Sequence, residues 1–415
     1  MDATNPQSAP ADRYAAFRHS AFAKYWIQRL LNTLSVQIVS VAVAWQIYDL
    51  TRDPFDLGLI GLTQFLPALA LVLVTGSAAD RFGRRLIMGL SQIVEIICTA
   101  ILLVLTMTGL NSATPVFILL IGLGIARAFV GPASSSLIVN LVPPKDFANA
   151  ISWATSCWQI GSISGPVLGG LLYGISPEAA YGTAIIFLII AAAFTFSIPK
   201  PAERPRIGDG TLDNILGGFR YIWSEKIVLG AVSLDMFAVL LGGAFALLPV
   251  FARDILNVGP WGLGMLRAAP GVGAIAVGVW LAGHPIRNHA GIIMFAGVAM
   301  FGVCVSLFGI STVTWLSVLA LLLLGAADMF SVYVREILIQ LWTPDAVRGR
   351  VNAVNGVFIG ASNELGEFRA GIMGAWIGPV GAVVFGGLGS IAIAAIWAWK
   401  FPALRNTKSL DKGVE

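Results

Sequence analysis

Residues 76–85 read Gly-Ser-Ala-Ala-Asp-Arg-Phe-Gly-Arg-Arg, and a long apolar run lies on each side of them. The two runs cover approximately residues 57–76 and 86–108. An α-helix needs about 20 mostly apolar residues to cross the hydrocarbon core of a membrane. The sequence therefore predicts two membrane-spanning helices that are joined by a short, positively charged loop.

The same pattern extends along all 415 residues of the chain. Hydrophobic residues make up 57% of the sequence, charged residues only 12%, and the mean hydropathy is +0.82. A soluble protein with so few charged residues could not cover its own surface. The composition excludes a disordered chain, a coiled-coil rod and an ordinary soluble enzyme. It predicts an all-α protein that crosses a membrane several times.

Twelve apolar stretches are long enough to span the membrane as helices. They are too long and too uniformly apolar for the alternating strands of a membrane barrel. Approximate limits are 23–48, 57–76, 86–108, 115–139, 148–173, 178–198, 227–251, 263–282, 290–310, 314–340, 351–376 and 380–400.

A polar segment at 199–226 divides these stretches into two groups of six. The groups resemble each other weakly, since Gly124–Arg127 and Gly325–Asp328 occupy equivalent places in them. Two six-helix repeats with a binding site between them are typical of transporters. We therefore expect two pseudo-symmetric bundles, a linker with an amphipathic segment, and a tail. Their predicted limits are 1–198 for the first bundle, 199–226 for the linker, 227–400 for the second bundle and 401–415 for the tail.

The distribution of Lys and Arg predicts the orientation in the membrane. Nineteen of these 26 residues fall on the side of the N-terminus, and only Arg52 and Arg253 fall in the opposite loops. Cytoplasmic loops carry an excess of positive charge. Both termini are therefore expected in the cytoplasm. Residues 1–21 lack the apolar core of a signal peptide, so the first span is expected to direct insertion.

Several classes of site have no support in the sequence. The three cysteines lie inside apolar stretches without metal-ligand or disulfide spacing. No phosphate-binding loop, nucleophile–base pair or concentrated basic face is present, so we expect no cofactor, no metal, no enzymatic activity and no nucleic-acid partner. The expected partners are a small-molecule substrate, protons and the lipid bilayer, and the expected functional unit is a monomer.

The loop at 76–85 places one carboxylate, Asp80, among three arginines. Such a cluster can form an ion-pair latch, although a simple positive orientation signal would also explain the arginines. The loop resembles the signature of the major facilitator superfamily, GxxxD-R/K-xGR-R/K, at every defined position. The resemblance implies a latch on the cytoplasmic side that comprises Gly76, Asp80, Arg81, Gly83, Arg84 and Arg85.

The fifth stretch contains a second motif of small residues. Glycines four residues apart share one helical face and permit close helix packing, which is the simplest explanation of the pattern. The pattern GxxxGPxxGG is also similar to the antiporter signature of exporters in the superfamily. The matching residues are Gly161, Gly165, Pro166, Gly169 and Gly170.

Ionisable residues inside the apolar stretches are candidates for proton coupling, because such residues usually mark transport pathways. Arg127 and Gly131 resemble the RxxxG signature of the superfamily, although a packing ion pair remains an alternative. Two carboxylates one helical turn apart do not both ionise readily in a low dielectric. The candidates are Arg127, Asp235, Asp328, Glu364 and Glu367. Asp235 could instead act at a gate, and Arg127 could pair with Asp328.

The resemblance also implies which residues face the cavity, because helices 1, 4, 7 and 10 line it in the superfamily. Candidate cavity residues are Gln37, Trp158, Gln159 and Asn363, together with Arg127, Asp235 and Asp328. An interfacial belt is the alternative for Trp158. Glu95 lies in the third stretch, which is peripheral in the superfamily, so a structural role stays open for it.

Longer stretches, among them Leu234–Arg253 and Ser362–Gly371, are similar to the enterobactin-exporter group of the superfamily. The resemblance implies a proton-coupled antiporter of a bacterial inner membrane that exports a small organic molecule, a siderophore, by alternating access. A polyspecific drug exporter and an uncoupled facilitator, receptor or lipid translocator are the alternatives.

Overall fold

The computed structural model describes residues 12–109, 112–200 and 212–407, and every regular element within these ranges is a helix. The first six long helices are α1 (Ser20–Thr51), α2 (Pro54–Phe82), α3 (Arg84–Met107), α4 (Thr114–Leu137), α5 (Phe147–Ile175) and α6 (Pro177–Ser197). They are followed by α7 (Leu212–Ser224), α8 (Lys226–Gly242), α9 (Leu248–Val250), α10 (Gly259–Gly283), α11 (Ala290–Ile310), α12 (Thr314–Trp342), α13 (Asp345–Ile377), α14 (Pro379–Lys400) and α15 (Pro402–Arg405).

Ten helical segments within the described ranges are long and apolar enough to cross a membrane by composition alone. The other two predicted spans correspond to α5 and α13, which have 29 and 33 residues and are more polar. Helix α5 packs between α1 and α10, and α13 packs against α2 and α8. The predicted fold of twelve transmembrane helices is confirmed.

The seventh span differs from the single apolar stretch that was predicted at 227–251. Helix α8 ends at Gly242, and the chain then forms a short 3₁₀ turn, α9 and one π-helical turn at Phe251–Ile255. Glycine has low helix propensity, and Pro249 lacks a backbone donor, so this sequence favours a break. The Arg369 side chain binds the freed carbonyls of Leu240 and Gly243 at 3.0 and 3.1 Å.

Helices α1–α6 pack mainly on one another, and helices α8–α14 do the same. The largest contacts between the sets are those of α5 with α10 and of α2 with α13. Residues 201–211 of the predicted linker and residues 408–415 of the predicted tail lie outside the described residues. The exact limits of the two bundles, the linker and the tail therefore stay predictions.

The two sets of helices also meet where α1 ends and the π-helical turn follows α9. Asp49 forms an ion pair with Arg253, and the Tyr48 hydroxyl donates a hydrogen bond to the Asp254 carboxylate. The Arg52 guanidinium lies 3.3 Å from Asp254. We call Tyr48, Asp49, Arg52, Arg253 and Asp254 the junction cluster.

Glycines allow the backbones of the two sets to touch next to the junction cluster. A Cβ atom on Gly170 of α5 would lie 2.5 Å from the Pro260 carbonyl oxygen and 3.1 Å from the Gly264 Cα atom of α10. A Cβ atom on Gly58 of α2 would lie 3.0 Å from the Gly371 Cα atom of α13. Only small residues permit such an approach between helices, so the two sets are closely packed at this end of the molecule.

Candidate functional site

A cavity of about 210 Å³ opens among α1, α3, α4 and α5. Asn32, Thr33, Val36 and Gln37 on α1 share one helical face, as do Arg127, Val130 and Gly131 on α4, because residues three and four apart are neighbours. These two faces and the side chains of Glu95 and Trp158 line the cavity.

The structure brings three of the residues predicted for the cavity to its wall, namely Gln37, Arg127 and Trp158. Trp158 is 51% exposed, so it is not fully covered by its neighbours at the cavity wall. Gln159 and Asn363 are not among the residues that line this cavity in the described ranges. Their predicted contact with substrate stays a prediction.

Arg127 connects the cavity to the contact between α2 and α13. Its guanidinium donates a hydrogen bond to the side-chain oxygen of Gln64 on α2. It also interacts electrostatically with Glu95 and with Glu364. The suggested pairing with Asp328 is not found among the described contacts, because Asp328 lies in the second set of helices beside Asp235.

Glu95 is the acidic residue of the cavity, and the sequence did not decide between a structural and a functional role for it. Its side chain is 1% exposed, yet neither carboxylate oxygen has a hydrogen-bond partner in the described part of the chain. An acidic residue in the middle of an apolar span is a functional candidate in its own right. The third helix is peripheral in the superfamily, and for that reason Glu95 was not predicted as a site residue.

Glu364 and Glu367 lie one turn apart on α13 and face α2 at Gly61. The absence of a side chain at Gly61 leaves room for the Glu364 carboxylate, and a Cβ atom there would also lie in ordinary contact with Glu367, at 3.7 Å. Arg267 of α10 interacts electrostatically with Glu367 and donates a 2.9 Å hydrogen bond to Ser40 of α1. The predicted carboxylate pair therefore lies between the two sets of helices.

These groups form one network of buried and half-buried charges, which we call the interface cluster. It comprises Glu95, Arg127, Arg267, Glu364 and Glu367. Three carboxylates face two guanidinium groups, so the fully ionised cluster carries one excess negative charge. An uncompensated charge away from water costs several kcal/mol, roughly. Binding of one cation, such as a proton, would balance the cluster.

A second group of charges lies within α8 and α12. Asp235 forms an ion pair with Arg335, whose side chain is almost completely buried. Asp328 borders the same small cavity as Asp235, between α8, α11 and α12. This group again has one carboxylate more than it has arginines, apart from the more exposed Glu336 next to Arg335. Its role in proton coupling or gating stays a prediction.

The predicted loop at 76–85 is mostly helical, because α2 continues to Phe82 and α3 begins at Arg84. This segment is only partly described. The packing of Gly76 and the side chain of Asp80 lie outside the described part of the structure. Gly83 has a φ of 85°, a conformation that favours glycine, and it separates the two helices. Arg81 is exposed and lies over the Phe82 ring.

The other two arginines of the motif begin α3 and bind the C-terminal ends of other helices in the first set. Arg84 donates to the Ser136 carbonyl of α4 at 2.8 Å, and Arg85 donates to the Ile198 carbonyl after α6 at 2.6 Å. Positive groups at helix C-termini are favourable. A latch between the two sets of helices stays a prediction.

The small-residue motif presses α5 against two neighbours at once. Gly161 and Gly165 lie against Thr33 and Gln37 of α1, where an added Cβ atom would approach within 2.6 Å. Gly169 lies against Ile38, while Gly170 and the Pro166 carbonyl lie against α10. The motif therefore forms a packing surface within the first set of helices and also between the two sets.

The sequence matches the family of transmembrane secretion effectors over residues 11–413. It is similar to the enterobactin exporters EntS of Escherichia coli O1:K1 / APEC and of Citrobacter koseri, with 25% identity over 387 residues in each case. The alignment covers 91% of this chain and 91% of each relative.

Solved transporters share the fold at low sequence identity. The chain resembles an inward-facing, occupied bacterial homologue of the lysosomal transporter Spinster, with a TM-score of 0.69, 15% identity, and coverage of 95% of this chain and 97% of that one. An auto-inhibited peptide transporter of the POT family gives a TM-score of 0.70 at 12% identity, with coverage of 95% and 99%. These likenesses concern the fold alone.

Proposed function

Since the chain belongs to the transmembrane secretion effector family of the major facilitator superfamily, we propose that it is a proton-coupled exporter of a small organic molecule. Family and fold make it a multi-pass membrane transporter of small molecules and not an enzyme. The direction of transport, the coupling ion and the substrate class belong to the proposal.

The observation that carries proton coupling is the unbalanced interface cluster. Glu364 and Glu367 belong to the second set of helices, and they face Arg127 and Gly61 of the first set. A separation of the sets at this contact would hydrate both carboxylates, whereas closure would return them to a low dielectric. Proton affinity of a carboxylate changes with hydration and with nearby charge. The same movement can therefore alternate cargo access and proton binding.

The two sets of helices are in close contact at the junction cluster and the neighbouring glycines, and this closed end supports alternating access. If both termini lie in the cytoplasm, as the positive charges predict, then the junction cluster lies on the outer side. This conformer would accept cargo from the cytoplasm. Rocking of the two sets would break the junction cluster and expose the cavity outside, where protons would enter the interface cluster and reset the carrier.

The substrate class is proposed from the relatives. The similar proteins are enterobactin exporters, so we propose a siderophore as cargo and the inner membrane of a bacterium as location. A polyspecific drug exporter is the second candidate. It is favoured by the half-exposed Trp158 at the cavity wall, because aromatic rings bind many planar ligands.

The test is uptake into proteoliposomes that contain the purified protein. A lumen more acidic than the outside should drive enterobactin inward as protons leave, and a protonophore should abolish the extra uptake. Equal uptake with and without the pH gradient would contradict proton coupling and favour a facilitator or lipid translocator. Ethidium uptake in parallel separates the candidates, since gradient-driven uptake of the dye would favour the polyspecific exporter.

A further inference from the structure

We infer that Glu95 is the residue at which the cavity binds a positively charged nitrogen of the cargo. The inference rests on the proposed function as a small-molecule carrier. Within that function it favours a cargo with a positively charged nitrogen, such as the polyspecific exporter would carry, over enterobactin, which has none. It assigns a direct role in binding to a residue on α3.

The position of Glu95 in the cavity is the first observation. Glu95 borders the cavity of about 210 Å³ together with Asn32, Gln37 and Trp158. Its side chain is 99% buried, and both of its oxygens lack hydrogen-bond partners among the described residues. Buried polar groups almost always have a partner, so such an orphan carboxylate requires an explanation.

The charges around Glu95 leave it without a dedicated counter-ion. Helices α4 and α6 pack most closely on α3, and Arg127 of α4 is the one charged residue in the described part that interacts electrostatically with Glu95. Arg127 directs a hydrogen bond to Gln64 and shares its charge with Glu364. One guanidinium therefore faces two carboxylates, and a second positive charge would complete the site.

The other groups in the cavity fit an organic cation that carries N–H donors or a planar ring. Asn32 and Gln37 offer side-chain oxygens as acceptors, and Trp158 offers an aromatic face for a cation–π contact. The Asn32 oxygen already accepts a hydrogen bond from Gln92 at 3.3 Å, which holds its side chain in place. The wall of the cavity is thus arranged around the negative charge of Glu95.

Cation binding at this site has a defined proton balance. The interface cluster lacks one positive charge, and without ligand a proton on the partnerless Glu95 carboxylate supplies it, because an unpaired buried charge is costly. When an ammonium group binds, Glu95 gives its proton to water and the carboxylate pairs with the ligand. One proton is released for each cation that binds, and the charge of the site does not change.

Equilibrium binding to the full-length protein in detergent tests the inference without transport. Desferrioxamine B, a siderophore with one primary ammonium group, should bind at least about thirtyfold more tightly than its N-acetylated, uncharged form. Calorimetry in two buffers of different ionisation enthalpy should detect one released proton for the amine and none for the acetylated form. Ethidium, as a second cation, should release one proton as well.

Variants separate Glu95 from other carboxylates. Glu95→Gln should bind the two siderophore forms equally and release no proton, whereas Glu178→Gln, at an exposed site on α6, should behave as the wild type. Equal binding of both forms to the wild type, absence of proton release, or failure of both cations to bind would overturn the inference. Loss of gradient-driven flux with intact proton release would instead count against the proposed coupling alone.

Discussion

Glu364 and Glu367 face α2 at Gly61, where the Glu364 carboxylate occupies the space that a side chain would fill. Arg127 and Arg267 approach them from α4 and α10. Two arginines cannot balance three carboxylates, so the closed cluster favours the uptake of one proton. We therefore expect proton coupling to depend on this one excess carboxylate of the interface cluster.

Glu367→Gln removes the excess negative charge and leaves two acids beside two arginines. We expect the variant to insert normally and to exchange cargo, but a pH gradient should no longer raise its uptake above the level without a gradient. The measurement is uptake into proteoliposomes, with Glu225→Gln before α8 as the control that retains coupling. Unchanged gradient-driven uptake in Glu367→Gln would show that coupling does not depend on the excess acid of the cluster.

Arg369→Gln tests a structural role for a charged residue in the same helix. The wild-type guanidinium binds two carbonyls at the break after α8, and hydrogen bonds from charged groups contribute about 1.5–3 kcal/mol each. We expect a clear decrease in the thermal unfolding temperature in detergent. The exposed Arg405→Gln provides the control, and equal stability of the two variants would contradict the role of Arg369.

The identity of the charged residues could be predicted from the sequence, but their pairing could not. Arg127, Glu364 and Glu367 are conspicuous because they interrupt apolar stretches. Which of them meet depends on the rotation of each helix about its axis, and a pattern of apolar residues constrains that rotation only loosely. Arg127 therefore lies near Glu95 and Glu364 instead of Asp328, and Glu95 became a site residue only in the folded chain.

Helices α5 and α13 are the more polar members of the two sets, and each packs on a helix of the other set. Glycines on α5 and α13 allow these helices to pack closely on their neighbours. Length identified both as spans, whereas hydropathy alone would leave them out. The break in α8 was not predicted, because an apolar composition continues through Gly242 and Gly243.

Gly170→Ala should disturb the contact between α5 and α10. Its added Cβ atom would lie 2.5 Å from a backbone oxygen, which cannot move as freely as a side chain, and overpacking costs typically about 1–3 kcal/mol. We expect a lower unfolding temperature and slower cargo exchange. Gly174→Ala, one turn further along α5, meets nothing within 4 Å and is the matched control. Equal behaviour of both variants would contradict a packing role for the motif.

At the scale of the whole molecule, the two sets of helices meet through the junction cluster and the neighbouring glycines. The number of spans and their division into two sets are properties of the sequence pattern. The sequence pattern does not determine the conformational state, because the same helices and the same buried faces serve an inward-open and an outward-open carrier. Only the folded structure identifies Asp49 and Arg253 as partners across the junction.

Asp49→Arg should open the junction, since two like charges would then face each other at the contact. Spin labels on the exposed residues Ser112 and Asn257 should report a longer and broader distance between the two sets. The additional exchange Arg253→Asp should restore the wild-type distance by reversing the ion pair. A double variant as open as the single variant would contradict the gating role of this pair.

Proton movement against cargo movement is the most direct test of the proposed antiport. Proteoliposomes with a pH-sensitive dye in the lumen and equal pH on both sides receive enterobactin, or ethidium in parallel, from outside. We predict that the lumen becomes more alkaline as cargo enters, because protons leave in exchange, and that Glu367→Gln abolishes this change. Entry of cargo through the wild-type protein at constant lumenal pH would contradict the exchange of cargo for protons.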